Sequence, residues 1–597
     1  MILRTFDLLN YLRCRRFAAL DSIRRLNQTT NSNETKKDSF TQNKINSFYP
    51  VIEPEEELLN SNEEKESNHF TLSATYLKYY QIVQTLLKQK YTNEVLSTEQ
   101  DYEFSFRNDI TLSIHMDFKI ETAHLSRFLT LSMSSSTEFL KLKYHINKKK
   151  SNLFYQDNQG IYHVSMPIIN TDDLTNYYDK FKKITNRHTD LGRMVYDLAF
   201  KQFVLKRLYP NTLMNQYLIL VHSDYVYDGN DYTLDFVKLF DFTEVINSMQ
   251  EKMESDLYRM INHIELRDDS RCLLVKNECL KGTSFQCEFV DYCFSHVPET
   301  NSLFAYFSQH VGFKEGPHKS DILHDTYDLI NEGVVDMLDI PISWLQREKN
   351  LMQRYCVENE YTYLNKKKIT AYIKTLKYPL IFLDFEAYPS LLPRFYGETP
   401  YTQSVFQFSI HIQNDPSIKD KNLLIHHEFL SKDDADHREE LVDQLLLSIP
   451  KGNSNIIVYN ETFERGRLLE LSLLFPKQKD RLLEISSRLF DLLKVLKTDI
   501  DFYIGLGFSK EEAERYNYYH PLLSGNYSLK KVLPLFDKPY YDTLPINNGV
   551  LAYTNYALLP LLSEKDKKQT IKNLLNYCKQ DTLSMFSILE GIKKMLK

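Results

Sequence analysis

Glycine is in short supply in this chain, 15 of 597 residues, against the roughly 7% of ordinary usage. There is no Gly-x-Gly-x-x-Gly fingerprint and no phosphate loop ending in Gly-Lys-Ser/Thr, so chemistry driven by a dinucleotide or a nucleoside triphosphate has little support. Long apolar runs are missing as well: nothing approaches the ~20 residues of a bilayer-spanning helix. The start MILRTFDLLNYLRCRRFAAL is Arg-rich and amphipathic but lacks a signal-peptide core and cleavage motif, and Asp7 speaks against a transit peptide. The expected location is the cytoplasm, with no membrane partner. A disulfide framework is disfavoured by an odd count of seven cysteines without an export signal, which points to reduced thiols. Nor is there an excess of positive charge. A net charge of −7 excludes a globally basic nucleic-acid coat, although phosphate binding depends on where Lys and Arg lie. Lys148-Lys149-Lys150 and Lys366-Lys367-Lys368 are short basic runs, of the kind that usually form solvated faces.

What is present is length and aromatic mass. A chain of 597 residues exceeds one core, and 41 Tyr with 36 Phe can fill more than one. Residues 1–26 have helical spacing, with Leu8, Leu9, Leu12, Phe17 and Leu20 on it, and carry the first cysteine. Residues 27–70 are Asn-, Ser-, Lys- and Glu-rich and read as a disordered insert. Residues 71–300 hold a helix (YLKYYQIVQTLLKQKY), strand-like pieces (DYEFSFRNDITLSIHMDFKI, LSRFLTLSMSSST, GIYHVSM), an amphipathic helix (GRMVYDLAFKQFVLKRLYP) and two further strands, and end in clustered cysteines. Residues 301–375 read as a helical connector. From 376 to 597 three successive strands (PLIFLDFE, SVFQFSIHI, NLLIHHEFL) are followed by a helix, a short strand (NIIVYN), further helices at FERGRLLELSLLF and KDRLLEISSRLFDLLKVL, and a long last helix. That is the order of a ribonuclease-H-like sheet, so the expected class is multidomain α/β.

Asp384 and Glu386 lie two apart at the end of a buried strand and therefore project from one face, with Phe385 opposite. Two convergent carboxylates repel unless a cation or proton lies between them, and hard oxygen ligands favour Mg²⁺ or Mn²⁺. A solvated strand end is the bland reading of such a tripeptide. Two further pieces argue for a site. Glu464 falls in the opening turn of the helix after Asn460, and Tyr577 and Asp581 stand four apart on one face of the last helix. A phenol and a carboxylate so placed can hold an attacking water beside a metal.

Asp-x-Glu on the first strand, Asn-x-x-Phe-acid after the fourth and Tyr-x-x-x-Asp on the last helix resemble the DnaQ-like 3′–5′ exonucleases with the tyrosine-type third motif. The resemblance implies two divalent ions, Mg²⁺ or Mn²⁺, held by Asp384, Glu386, Glu464 and Asp581, with Tyr577 orienting the water. Glu464 departs from the pattern, since most of these enzymes carry Asp there, and one methylene more alters the metal spacing. The stretches GETPYTQSVFQFSIH, YSLKKVLPLF, INNGVLAY and YCKQDT further resemble a prokaryotic family in which such a domain follows a RecB-like (PD-(D/E)XK, iron–sulfur type) module. Most of the chain outside the polar insert is covered by that resemblance.

Cys279, Cys287 and Cys293 are separated by seven and five residues, without the close Cys-x₂₋₄-Cys pairs of structural zinc sites. With Cys14 they resemble the four cysteines that hold a 4Fe–4S cluster in RecB-like nucleases, one near the N-terminus and three after the core. The alternatives are four unrelated buried thiols or a zinc-binding interaction module; Cys272 is an unused neighbour. The nuclease pattern itself is broken. HMDFKI supplies Asp117, but Ser132 and Ser134 stand where Glu and Lys are needed, and Lys201 lies near the position of a Gln. The expectation is a degenerate RecB-like nuclease fold joined to a ribonuclease-H-like mixed sheet flanked by helices. Nucleic acid, DNA or RNA with a single-stranded end, is the expected partner of an exonuclease acting through the C-terminal domain. A catalytically silent nucleic-acid-binding or scaffold protein is the alternative.

Overall fold

The computed structural model describes residues 1–28, 62–107, 109–146, 149–165, 174–266, 274, 279, 287–307, 312–538 and 540–597. The centre of the polar insert, Lys148 and Cys272 lie outside the described residues. Two mixed sheets flanked by helices dominate the molecule.

In the N-terminal sheet, β1 (Ile2–Leu3), β2 (Val95–Arg107), β3 (Ile110–Glu121) and β4 (Ser126–Ser135) form one half. β2, β3 and β4 are an antiparallel meander, and β1 lies parallel to β3. A hairpin of β5 (Lys143–Ile146) and β6 (Lys149–Asn152) stands apart; β7 (Phe154–Gln156) and β8 (Ile161–Val164) form the far edge. The helix Asp190–Leu208 then returns the chain so that β9 (Met214–Val221) runs parallel to β4, with β10 (Val237–Asp241) antiparallel beyond it. Alternation along β4 and β9 explains the layering. Leu129, Leu131, Ile219 and Val221 face the helix Asn62–Lys90, whereas Phe128, Leu218 and Leu220 pack on Val195, Phe200 and Phe203 of the returning helix.

Residues 1–26 are not one helix but a strand and two helices, Thr5–Arg13 and Arg15–Gln28. The break is Cys14, extended at φ −143°, whose Sγ accepts from Phe17 N–H at 3.5 Å and so caps the second helix. The polar insert is helical from Asn62 onward. The helix Gln250–Leu266 was not expected, and it packs on both N-terminal helices. The connector is only partly helical: β11 (Phe313–Lys314) pairs with β12 (Leu323–His324), and β13 (Tyr363–Leu364) joins a distant strand.

The C-terminal sheet has β16 (Ile425–Leu430), β15 (Gln403–Gln413), β14 (Leu380–Pro389), β17 (Ile456–Val458) and β18 (Leu489–Asp491) in that spatial order. The first three are antiparallel, and β17 and β18 run parallel to β14. β18 interrupts what reads as a single helix: Leu489–Asp491 pair with β17, and Asp491 then accepts from Leu493 N–H at 2.9 Å to start a new helix. Ile381, Leu383 and Phe385 point to the helices Arg438–Ser448 and Thr462–Leu474, as expected for Phe385. Leu380 and Phe382 share the opposite face with Phe586 and Ile588 of the last helix, Glu564–Leu596. Pro389 ends β14, beyond a bulge between Glu386 and Ala387.

Candidate functional site

Asp384 and Glu386 stand on the β14 face that the last helix covers, one pleat apart. The strand is apolar up to Asp384 because it is buried on both faces; the carboxylates begin where the helix crosses it. Glu464 comes from the other side. β17 ends at Val458, and Asn460 takes the left-handed conformation at φ 65°, which Asn tolerates better than most residues. Asn460 N–H donates to Asp491 Oδ1 at 3.0 Å, fixing the turn, and the helix Thr462–Leu474 opens with Glu464 in its first turn. Asp581 and Tyr577 lie on the last helix, one turn apart. Glu386, Glu464, Tyr577 and Asp581 are all buried, and Asp384 keeps partial exposure.

The charges act on one another. Burial, then the charges of Asp581, Glu386 and Glu464, hold the Asp384 carboxyl well above the usual carboxylate range. Burial pushes Glu464 up to about 8, with Asp491 and Asp581 adding to the shift and its own backbone N–H and Arg467 opposing it. Glu464 Oε2 is buried without a hydrogen-bond partner. An unpartnered buried carboxylate oxygen among like charges fits a cation-binding position, and the carboxylate oxygens suit a hard divalent ion.

Three residues that sequence reasoning passed over belong to this site. Cys578 is fully buried, and its Sγ donates to Asp384 Oδ2 at 3.2 Å. Tyr541 donates its phenol to Asp581 Oδ1 and lies 3.1 Å from Ser584 Oγ; its ring packs edge-on to Tyr577 at 6.4 Å. Asp491 is a further buried carboxylate, raised by burial and countered by the amides of Asn460, Leu493 and Glu461. Cys578 carried a signal in the sequence, three residues before Asp581 on one helix face; Tyr541 and Asp491 carried none. Lys530 Nζ stands 5.7 Å from the ring centres of both Tyr541 and Tyr577.

The other candidates fall in the N-terminal half. Cys14, Cys279, Cys287 and Cys293 line one small cavity with Phe17, Phe289 and Phe294. Asp117 is fully buried; Oδ1 accepts from Tyr76 at 2.9 Å and Oδ2 from Leu131 N–H at 2.8 Å, where the β3–β4 ladder has ended. Ser132 Oγ accepts from Ser134 N–H at 3.2 Å, and Lys201 Nζ turns to Thr130 Oγ1 and Asp197. Of the basic runs, Lys149 and Lys150 are exposed on β6. Lys368 is not solvated: its ammonium is buried and donates to Thr498 Oγ1 and to the carbonyls of Glu512, Ala513 and Arg515. No helix among the described residues is long and apolar enough to cross a membrane.

Residues 381–528 match a domain of unknown function, DUF2779. The match takes in Asp384, Glu386, Glu464 and Asp491 and ends before Tyr541, Tyr577, Cys578 and Asp581. The uncharacterized protein UU173 of Ureaplasma parvum is 27% identical over 237 residues, 37% of this chain and 32% of its own length. The uncharacterized protein MG366 of Mycoplasma genitalium is 28% identical over 241 residues, 37% of this chain and 33% of its own. The chain thus spans about a third of the length of the curated relatives it matches. No solved structure matches it.

Proposed function

We propose that the C-terminal half is a metal-dependent 3′–5′ exonuclease that hydrolyses phosphodiesters of DNA or RNA, with Asp384, Glu386, Glu464 and Asp581 as ligands of two Mg²⁺ or Mn²⁺ ions. One observation carries this reading: four carboxylates from three separate elements converge in a buried spot, and Glu464 Oε2 has no partner there. Like charges in low dielectric cost several kcal/mol each unless cations or protons compensate them. The strand order 3-2-1-4-5, with strands 4 and 5 parallel to strand 1, supports a ribonuclease-H-like sheet. When bound, the ions would supply charge stabilisation at the phosphate and an acidified water. The chain's own residues do the positioning. Tyr541 holds the Asp581 carboxylate, Asn460 and Asp491 set the helix start from which Glu464 projects, and Tyr577 orients the attacking water.

The N-terminal half we read as a RecB-like nuclease fold without a hydrolytic centre. The succession of helix, meander β2–β3–β4, helix and parallel β9 supports that fold, and Ser132, Ser134 and the doubly engaged Asp117 support the loss of activity. The shared cavity supports a 4Fe–4S cluster on Cys14, Cys279, Cys287 and Cys293. Tetrahedral zinc, with Zn–S bonds of about 2.3 Å, would draw its sulfurs to about 3.8 Å from one another. The four cysteines do not form such a group: among the described residues the ligand atoms of three or more groups lie within 4.8 Å only at Asp384, Glu386 and Cys578. A nucleic-acid partner is further supported by a groove of ≈ 570 Å³ lined by Lys419, Lys421, Lys593, Lys594 and Lys597, along with Asp420, Asp537 and Glu590.

The test is cleavage of 3′- and 5′-labelled single-stranded DNA and RNA with Mg²⁺ or Mn²⁺. Wild type should shorten strands from the 3′ end, and Asp384→Ala should abolish this while its circular dichroism spectrum stays native. Equal activity in both proteins, or none in either on any substrate, removes the reading. Strand binding without hydrolysis would instead favour a silent scaffold, the alternative that the locked Asp117 keeps in view.

A further inference from the structure

Cys578 has no role in a site made of carboxylates alone, yet it stands inside that site. It sits between Tyr577 and Asp581 on the last helix, fully buried, 3.2 Å from Asp384 Oδ2. Single ligand atoms of Asp384, Glu386 and Cys578 all lie within 4.8 Å of one another, a separation that one ion with bonds of about 2.0–2.3 Å nearly spans. An independent feature points to a cation at the same place. Glu464 is 4% exposed, its Oε2 has no partner, and its charge bears directly on Asp384. Hard Mg²⁺ gains little from sulfur, whereas a thiolate selects zinc-like ions.

We propose that Asp384, Glu386 and Cys578 form a mixed oxygen–sulfur site that takes a thiophilic divalent cation of the Zn²⁺ class in preference to Mg²⁺. The proposal deepens the nuclease reading and takes from it only the location of the site. On binding, the Cys578 S–H bond breaks, its proton passes to solvent, and the sulfur lone pair forms the bond to the ion; no electron is transferred. Three protein donors leave a fourth position open to water or a phosphate oxygen, the arrangement of catalytic rather than structural zinc. Because Asp384 and Glu386 are shared, a thiophilic ion competes there with Mg²⁺ or Mn²⁺.

Cd²⁺ is the probe, since a Cd²⁺–thiolate bond absorbs in the ultraviolet and a Cd²⁺–carboxylate bond does not. Full-length protein, purified with its other thiols in their native state and stripped of divalent ions, is titrated as wild type, Cys578→Ser and Asp384→Asn. Near-ultraviolet circular dichroism and thermal melting verify each fold. The wild-type minus Cys578→Ser difference should contain a charge-transfer band that saturates at a single site and resists excess Mg²⁺. Asp384→Asn should weaken Cd²⁺ at that band by at least the roughly 10–100-fold that losing an outer-shell partner costs. An empty difference spectrum between folded proteins overturns the proposal, and so does a band indifferent to Asp384→Asn. Should Cys578→Ser misfold, Asp384→Asn, which keeps every thiol, decides alone. The nuclease reading fails separately, by absence of Mg²⁺- or Mn²⁺-dependent cleavage in wild type whatever the Cd²⁺ spectrum holds.

Discussion

Along with Asp384, Glu464 carries the electrostatic cost of this site. Its carboxyl is held at about 8, raised from 4.5 chiefly by burial, so the folded chain retains a proton that the unfolded chain gives up between those values. A group raised in this way contributes stability below its unfolded pKa and loses it as pH rises through the folded one. In chelated protein, therefore, Glu464→Gln should have little effect at about pH 4.5 and should be the more stable protein by a few kcal/mol above about pH 8. The check is the difference in melting temperature between the two proteins against pH, with chelator throughout; a flat difference refutes it. Added Mn²⁺ should reverse the order, because only the carboxylate gains from the ion. Tyr541 makes a complementary case. Tyr541→Phe removes the phenol that Asp581 accepts from and should raise the Mn²⁺ concentration for half-maximal cleavage by roughly 10–100-fold with the fold intact. An unchanged Mn²⁺ dependence would leave Tyr541 a packing residue.

Among elements, the pair of N-terminal helices is decided by Cys14, whose extended backbone turns the chain and whose sulfur faces the cavity of the other three cysteines. Phe17, three residues on, packs against Phe289 at 5.2 Å and brings the two cysteine-bearing segments together. Anaerobically purified protein should be brown and contain iron, and both Cys14→Ser and Cys287→Ser should lose it; colourless, iron-free wild type counts against the cluster. The two elements that carry the first and last carboxylates were legible beforehand. β14 announces itself as an apolar run ending in Asp384-Phe385-Glu386, and the last helix keeps its period over 33 residues. β18 was not legible. Its three residues are too few for an alternation, and Arg488-Leu489-Phe490-Asp491 continues a helical pattern until pairing with β17 imposes a strand. Lys368 was misread for a similar reason: a run of three lysines gives no sign that the third will meet four oxygen acceptors more than a hundred residues away. For Cys578 only the spacing to Asp581 was legible, since its partner Asp384 lies 194 residues earlier in the chain.

At the scale of the molecule, the two sheets are not separate bodies on a linker. Tyr79, Tyr80 and Leu131 of the N-terminal half belong to the same buried cluster as Leu380, Phe382 and Tyr553. The helix Asn62–Lys90 packs on the helix Gly549–Leu558, and polar contacts lock the seam: Tyr401 donates to Met133 O at 2.8 Å, Tyr232 to Pro393 O at 2.7 Å, and Tyr227 exchanges backbone bonds with Gly397 and Glu398. The N-terminal sheet thereby buttresses the sheet that carries the carboxylates. The consequence is cooperative unfolding. The single tryptophan, Trp344, stacks on His324 in the connector and reports on that region, while circular dichroism reports on both sheets. Denaturant curves from the two probes should coincide. Tyr401→Phe, which removes one bond across the seam, should shift both together by about 1 kcal/mol. Two resolved transitions, or a shift confined to one probe, would mean that the halves fold independently and that the N-terminal sheet owes its place to something other than support of the site.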